Sequence, residues 1–152
     1  MHATKKRTSK SKGDRYLGFL KTVHLSRLGM DGANFRIDRA ELLAGFPESG
    51  GAKVDIAGRQ EVLNLGGGSF DVLGHFRMSA KGHSDSEFVE ITCTLSARFT
   101  LDSEAEPEFV ERFARNEARL VFWPYLRHFI SDCTYRMAIP PFQLPLTSEL
   151  PT

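Results

Sequence analysis

Apolar and polar residues alternate over two long segments near the middle of the chain. Within residues 69–80, apolar side chains at every second position share one side, and the alternation over residues 89–101 is almost unbroken. Successive side chains of a β-strand point to opposite faces, so this period of two predicts two half-buried antiparallel strands. Residues 82–85 between them have the composition of a turn, which predicts a hairpin.

The first third of the chain has a mixed pattern. Tyr16 and Phe19 have helical spacing and predict a short helical turn, whereas the residues from Val23 onward alternate as in a strand. The glycines within residues 29–32 predict an interruption of this strand, which then resumes. The polar residues 55–60 carry only weak signals of regular structure.

Apolar residues recur at intervals of three and four in the last third of the chain, which predicts helices. Ser103 and Glu106 have the spacing of a capping box, and Pro107 suits a first helical turn. Pro124 ends or kinks this helix and equally suits the start of a second one, which Pro140 ends. The order of strands followed by two helices predicts an α+β fold.

Length and composition predict one globular domain. The 152 residues are 41% apolar and 26% charged, which is typical of a globular protein with a single core. No apolar run reaches the roughly 20 residues that span a bilayer, and the basic start lacks the apolar core of a secretory signal. We therefore expect a cytoplasmic protein that does not insert into membranes. Residues 1–14 are basic and polar and predict a disordered tail.

The chain contains no motif typical of an enzyme or a metal protein. The glycines at 66–68 lack the Lys-Ser/Thr pair of a phosphate-binding loop, and no histidine lies close to a cysteine or to another histidine. Cys93 and Cys133 fall on apolar faces, where cysteines usually pack as small hydrophobes. We expect no catalytic residue, no metal site and no cofactor.

Two functions stay open on the residues alone. The first is the binding of a small ligand by an α+β domain, for which the polar cluster around His75 and Arg77 is the natural site. The second is nucleic-acid binding through the basic residues 5–12. The net charge of +1 lacks the basic surplus that usually accompanies phosphate recognition, which argues against the second function.

The most specific pattern lies within residues 113–146. It contains the run Phe122-Trp123-Pro124-Tyr125-Leu126-Arg127, and it ends on Pro140-Pro141-Phe142-Gln143-Leu144-Pro145-Leu146. This pattern resembles the C-terminal signature of the SecB chaperone family, in which an aromatic-Pro-Tyr-x-Arg core opens the long helix and an extended Pro/Leu tail follows. The specific match covers about a quarter of the chain, and the strands before it agree in pattern.

The resemblance implies a fold and an activity. The fold is an antiparallel, Greek-key-type sheet of four strands followed by two helices, here over residues 15–147 with a short tail at 148–152. Two copies form a homodimer, often paired into a homotetramer. The activity is ATP-independent binding of unfolded polypeptides, either for preprotein export or for one dedicated client such as an antitoxin.

Two departures from the family pattern argue against docking to the export motor SecA. The family is typically strongly acidic, whereas this chain has a net charge of +1. The C-terminal Cys/His zinc tail of the family is also missing.

The resemblance divides the apolar residues into two groups. Twelve Phe and four Met residues would supply broad, adaptable contact with many client sequences. Client contact is predicted for Phe46, Phe76, Met78, Phe142, Leu144 and Leu146. Core or dimer packing is predicted for Trp123, Tyr125, Leu126, Phe129, Ile130 and Cys133. Arg127 is predicted to be a polar anchor with Asp132 as its candidate partner.

Overall fold

A computed structural model describes residues 10–45, 53–82 and 85–139, together with Phe142 and Leu144. The predicted tail at 148–152 and most of the basic tail lie outside these residues. The elements in chain order are α1 (Lys12–Leu20), β1 (Val23–Ile37), α2 (Arg39–Gly45), β2 (Lys53–Gly66), β3 (Ser69–Lys81), β4 (Glu87–Leu101) and α3 (Pro107–Arg136).

The four strands form one antiparallel sheet in the order β1-β4-β3-β2. The strands β2, β3 and β4 follow one another as neighbours, and β1 returns beside β4, which is a Greek-key arrangement. The predicted α+β class, the four-stranded sheet and the hairpin of β3 and β4 are therefore confirmed. The apolar faces of β3 and β4 are buried as their alternation predicts.

The predicted interruption of β1 is wrong, because this strand runs unbroken over 15 residues. Its pairing with β4 shifts register between Leu25 and Arg27 and again between Met30 and Gly32. Each shift is a bulge that accommodates one extra residue, Ser26 and Asp31, without ending the strand. The weak signals at residues 55–60 are misleading as well, since β2 pairs with β3 through this stretch.

The predicted break at Pro124 is also wrong, because α3 is one continuous helix of 30 residues with Pro124 inside it. Pro124 removes one hydrogen bond, but Trp123 before it and Leu126 after it are buried, and this burial favours a continuous helix. The helix begins at Pro107 with Glu106 as N-cap, and no side chain caps it, so the predicted capping box is absent.

The helix α1 begins at Lys12, inside the stretch predicted as tail. Its N-cap is Ser11, whose hydroxyl accepts a hydrogen bond from the backbone N–H of Asp14 at 3.2 Å, while Asp14 accepts one from the Ser11 backbone in return. This capping box satisfies two of the N–H groups that a helix start leaves unpaired.

The outer face of the sheet, opposite α3, carries paired charges. Asp71 accepts two hydrogen bonds from the Arg98 guanidinium at 2.8 and 2.9 Å and one from the Asn64 amide at 2.9 Å. The Arg98 hydrogen bonds, followed by that of Asn64, lower the pKa of the Asp71 carboxyl to about 2. The Asp71 side chain is only 12% exposed, so this pairing contributes to stability when the carboxyl is ionised.

We expect the Asp71 pairing to make the protein less stable in acid. Because the pKa of Asp71 is lower in the folded than in the unfolded chain, its contribution is complete above pH 4 and is lost as the pH falls towards 2. The loss should be on the order of 1–2 kcal/mol. Urea unfolding between pH 5 and 2 measures it. Asp71→Asn should flatten the profile, whereas Asp55→Asn, at an exposed position of β2, should leave it unchanged.

Candidate functional site

The helix α3 covers the inner face of the sheet, where it contacts β2, β3 and β4. Phe76 of β3 and Phe122 of α3 meet edge to face, with 5.9 Å between their ring centroids. Glycines make room for Phe76, since a Cβ at Gly58 or Gly74 would lie within 2.8 Å of its ring. Phe76 and Phe122 therefore fill the space between β3 and the middle of α3.

Two of the predicted client-contact residues lie beneath α3. Phe76 is 5% exposed and Met78 is 1% exposed. Both line a small closed crevice together with Leu126 and Ile130 of α3. A client can reach these two side chains only if the elements above them move.

The other predicted client-contact residues are in the last part of the chain and in the connection between α2 and β2. Phe142 is half-buried and Leu144 is buried, and both pack against the core. The Arg127 Nε donates a hydrogen bond to the carbonyl oxygen of Leu144 at 3.2 Å, so Arg127 fixes the chain after α3. Phe46 and Leu146 lie outside the described residues.

The residues predicted to pack lie along α3. Trp123, Leu126, Ile130 and Cys133 are buried, and Phe129 is half-buried. Tyr125 is 41% exposed and therefore lies outside the buried face of the helix. The predicted polar partner of Arg127, Asp132, instead accepts a hydrogen bond from Arg136 at 2.7 Å.

Both cysteines are buried and free. Burial raises the pKa of the Cys93 thiol to about 11, and it also raises the pKa of Cys133. Both thiols are therefore protonated at neutral pH and poorly nucleophilic.

An apolar stripe along β1 was not predicted from the sequence. Residues opposite one another in an antiparallel pair share a face, and six apolar residues of β1 lie beside the buried positions of β4. These residues, called the β1 stripe below, are Leu25, Leu28, Met30, Ala33, Phe35 and Ile37. Leu25 is 49% exposed and Phe35 is 48% exposed, because α3 packs on this face over β2, β3 and β4 and does not extend over β1. The strand β1 is also an edge of the sheet, where backbone groups are free to pair with a further strand.

The outer face holds an open concavity of about 630 Å³ at its centre, near the predicted polar cluster. The two ring nitrogens of His75 lie 3.2 Å from the Thr94 hydroxyl and 3.1 Å from a Glu61 carboxylate oxygen. Arg77 donates hydrogen bonds to Glu87 at 2.7 Å and to Glu90 at 2.6 Å. The groups that a polar ligand would use are thus already paired with one another.

Within the described ranges, no group of three or more His, Cys, Asp or Glu side chains is arranged to hold a metal ion. None of the helices in that part of the chain is long and apolar enough to cross a membrane.

Comparison with known proteins identifies similar structures but no similar sequence. No protein-family profile matches the chain, and no curated protein matches it. The solved structure of the Mycobacterium tuberculosis SecB-like chaperone Rv1957, in complex with a ChAD peptide from the Rv1956 HigA1 antitoxin, superposes with a TM-score of 0.73. The match covers 89% of this chain and 98% of that one, at 17% identity. A protein of unknown function from Streptococcus agalactiae covers 81% of this chain and 96% of its own, at a TM-score of 0.41 and 12% identity, which is too distant to inform function.

The chain therefore has the SecB-like fold, as the pattern within residues 113–146 predicts. This similar structure is that of a chaperone and not of an enzyme.

Proposed function

We propose that this protein is an ATP-independent chaperone that holds unfolded polypeptides. The observation that carries the proposal is the match over 89% of the chain to a SecB-like chaperone solved with an antitoxin peptide. The apolar residues Phe142 and Leu144 after α3 support it, because extended apolar segments bind to apolar surfaces. Its clients are preproteins awaiting export or one dedicated protein such as an antitoxin, and it acts in the cytoplasm.

We assign the β1 stripe to assembly. A two-fold axis beside β1 would bring the stripe of a second copy onto the first, so that each copy covers the apolar side chains and the strand edge of the other. A homodimer of this kind leaves the outer face and the solvent side of α3 free for the pairing of two dimers.

Phe35→Asp should dissociate this assembly. A carboxylate within the stripe would have to be buried without a partner when two copies meet, which costs several kcal/mol. Light scattering coupled to size-exclusion chromatography would show a lower mass for this variant. Leu43→Asp, which changes an 85% exposed side chain of α2, should keep the mass of the unchanged protein. Equal masses for Phe35→Asp and the unchanged protein would reject the stripe as the interface.

Client contact is assigned to Phe142, Leu144, Phe46 and Leu146, and to Phe76 and Met78 when a client displaces the residues above them. Of the described residues after α3, Phe142 is the better placed, because it is half-buried, whereas Leu144 is buried in the core and must leave it to meet a client. Arg127 holds the backbone at Leu144, and neither Phe142 nor Leu144 belongs to a helix or strand. Side chains outside regular elements can adapt to different client sequences.

Dilution of a chemically unfolded model protein, with and without this chain and in the absence of nucleotide, tests the function. We expect suppression of light scattering at near-stoichiometric amounts. The double variant Phe142→Ser/Leu144→Ser should lose most of this suppression while its oligomer stays intact. Leu120→Ser, at a 59% exposed position of α3, is the matched control and should behave as the unchanged protein.

The other outcomes of this experiment would reject part or all of the proposed function. Suppression that the double variant retains would reject the assignment of client contact to Phe142 and Leu144. A folded oligomer that suppresses no aggregation would reject general holdase activity. Saturable binding of a small polar ligand that His75→Ala abolishes would then favour the ligand-binding alternative at the outer concavity.

A further inference from the structure

The strand β2 forms the second edge of the sheet, on the side away from β1. In the described part of the chain its hydrogen-bonded neighbour is β3 alone, and this pairing runs without a shift from Lys53 to Leu63. Bulges and prolines commonly protect such an edge from a further strand. Residues 53–63 contain neither, so the free side of β2 presents an uninterrupted row of backbone groups.

The inner face of β2 is incompletely covered by α3. The side chains of Val54, Ile56 and Val62 pack on the core but are only half-buried. Their partners on β3 are at most 1% exposed. Apolar surface is therefore left over at this margin of the sheet, beside the free edge.

The outer side of β2 carries charges of alternating sign. Lys53, Asp55, Arg59 and Glu61 follow one another at this side, with Ala57 in the middle of the set. Charged side chains of one sign on an edge strand would repel a second copy of the same strand. Two charges of each sign, placed evenly about Ala57, do not repel it in this way.

The neighbouring strand β3 does not neutralise these charges. Lys53 lies opposite Lys81 and Asp55 lies opposite Ser79. Like charges directly opposite one another destabilise a pair of strands. Among the described residues, neither Lys53 nor Asp55 forms an ion pair, and the Arg59 guanidinium lies 4.0 Å from its nearest carboxylate. The charges of β2 thus lack close partners within their own sheet.

A second copy of β2 supplies these partners in one register. If two β2 strands pair antiparallel about a two-fold axis at Ala57, Lys53 lies opposite Glu61 and Asp55 lies opposite Arg59, and symmetry repeats each pair. A slide by two residues is the smallest that keeps every side chain on its face. In one direction it sets Lys53 opposite Arg59, and in the other it sets Asp55 opposite Glu61. Both slides are therefore unfavourable.

We propose that the edge of β2 pairs with the β2 edge of a second copy in this register, as a contact between copies that is separate from the β1 stripe. The pairing continues the sheet of one copy into the other and covers the half-buried side chains of the inner face. Its ion pairs stay close to solvent, so added salt weakens the contact. Copies that are joined through the β1 stripe would be linked further through β2. The contact does not depend on the proposed chaperone function.

Charge reversal tests the pairing. The Phe35→Asp chain removes the contribution of the β1 stripe, and at low salt it should form a reversible dimer in sedimentation equilibrium. Adding Arg59→Glu sets two carboxylates opposite one another at two places and should raise the Kd of this dimer by about tenfold or more. The double change Asp55→Lys/Arg59→Glu restores opposite charges and should restore the dimer. Arg115→Glu, the same change at an exposed position of α3, is the control. Circular dichroism checks that every variant is folded.

Cross-linking tests the register. Ala57→Cys places one thiol of each copy at the two-fold axis, where opposite side chains are about 4.5–5.5 Å apart and within reach of a disulfide. Oxidised glutathione should link two such chains, as seen by electrophoresis without reductant. Leu63→Cys, on the same side of β2 and also exposed, places its two thiols far apart and should stay unlinked. Cys93 and Cys133 are buried and should not react in either variant.

Three results would overturn the proposal. The first is a Phe35→Asp chain that does not associate, or that associates equally well with Arg59→Glu. The second is a folded Asp55→Lys/Arg59→Glu protein that fails to recover the dimer. The third is equal cross-linking of the Ala57→Cys and Leu63→Cys proteins. None of these experiments measures aggregation of a client, so failure of the holdase function is recognised separately by the dilution experiment.

Discussion

Leu126→Ala should lower the free energy of unfolding by about 2–5 kcal/mol, the range for a large apolar side chain removed from a packed core. Leu126 is 1% exposed and lines the closed crevice between α3 and the sheet, so its removal enlarges a space that no neighbour can fill. Leu120→Ala makes the same chemical change on the same helix at a 59% exposed position, and it should cost less than about 0.5 kcal/mol.

Urea unfolding monitored by circular dichroism measures both variants. Both changes place alanine in a helix, so helix propensity cancels between them and the difference reports burial. Equal losses of stability would show that α3 does not turn its Leu126 side towards the sheet.

Gly74→Ala, which adds one methyl group to the inner face of the sheet, should lower the free energy of unfolding by about 1–3 kcal/mol. A Cβ at Gly74 would lie 2.6 Å from the Phe76 ring and 3.0 Å from the Phe122 ring. These rings are 5% and 0% exposed and pack on each other, so neither can move away without disturbing α3.

Gly29→Ala is the matched control, because a Cβ there meets no atom within 4 Å. It should change the free energy of unfolding by less than about 0.5 kcal/mol. Thermal unfolding of the two variants side by side gives the comparison. A Gly74→Ala protein as stable as the Gly29→Ala protein would contradict the close approach of Phe76 and Phe122.

Secondary structure is predicted best from the sequence where one face of a strand or helix is buried over its whole length. In β3 and β4 the period of two is almost complete, because their inner faces lie beneath α3 and their outer faces carry paired polar groups. The pattern of residues 113–146 likewise predicted the family of folds. The continuity of α3 could not be predicted, since Pro124 is compatible with a helix start, an end or a kink, and only packing against the sheet decides among them.

The β1 stripe was missed because its spacing is irregular in the sequence. Ser26 and Asp31 each add one residue to the strand, so the apolar positions fall out of step with a period of two. Asp31 accepts a hydrogen bond from the Ser96 hydroxyl at 2.8 Å, a contact between residues far apart in the chain. The docking of α1 depends in the same way on distant partners, and the client contacts depend on molecules outside this chain.

The Greek-key order also has a consequence for how the chain folds. The strands β2, β3 and β4 pair with their neighbours in sequence, whereas Val23 at the start of β1 pairs with Leu101 at the end of β4. Such long-range pairing is slow, because a large loop must close before any contact compensates for the lost entropy. During synthesis β1 emerges first, yet it must wait for the last strand of the sheet. The strand that carries the apolar β1 stripe is thus the one that stays longest without a partner, and a newly made copy of this protein is itself vulnerable to aggregation until β4 is complete.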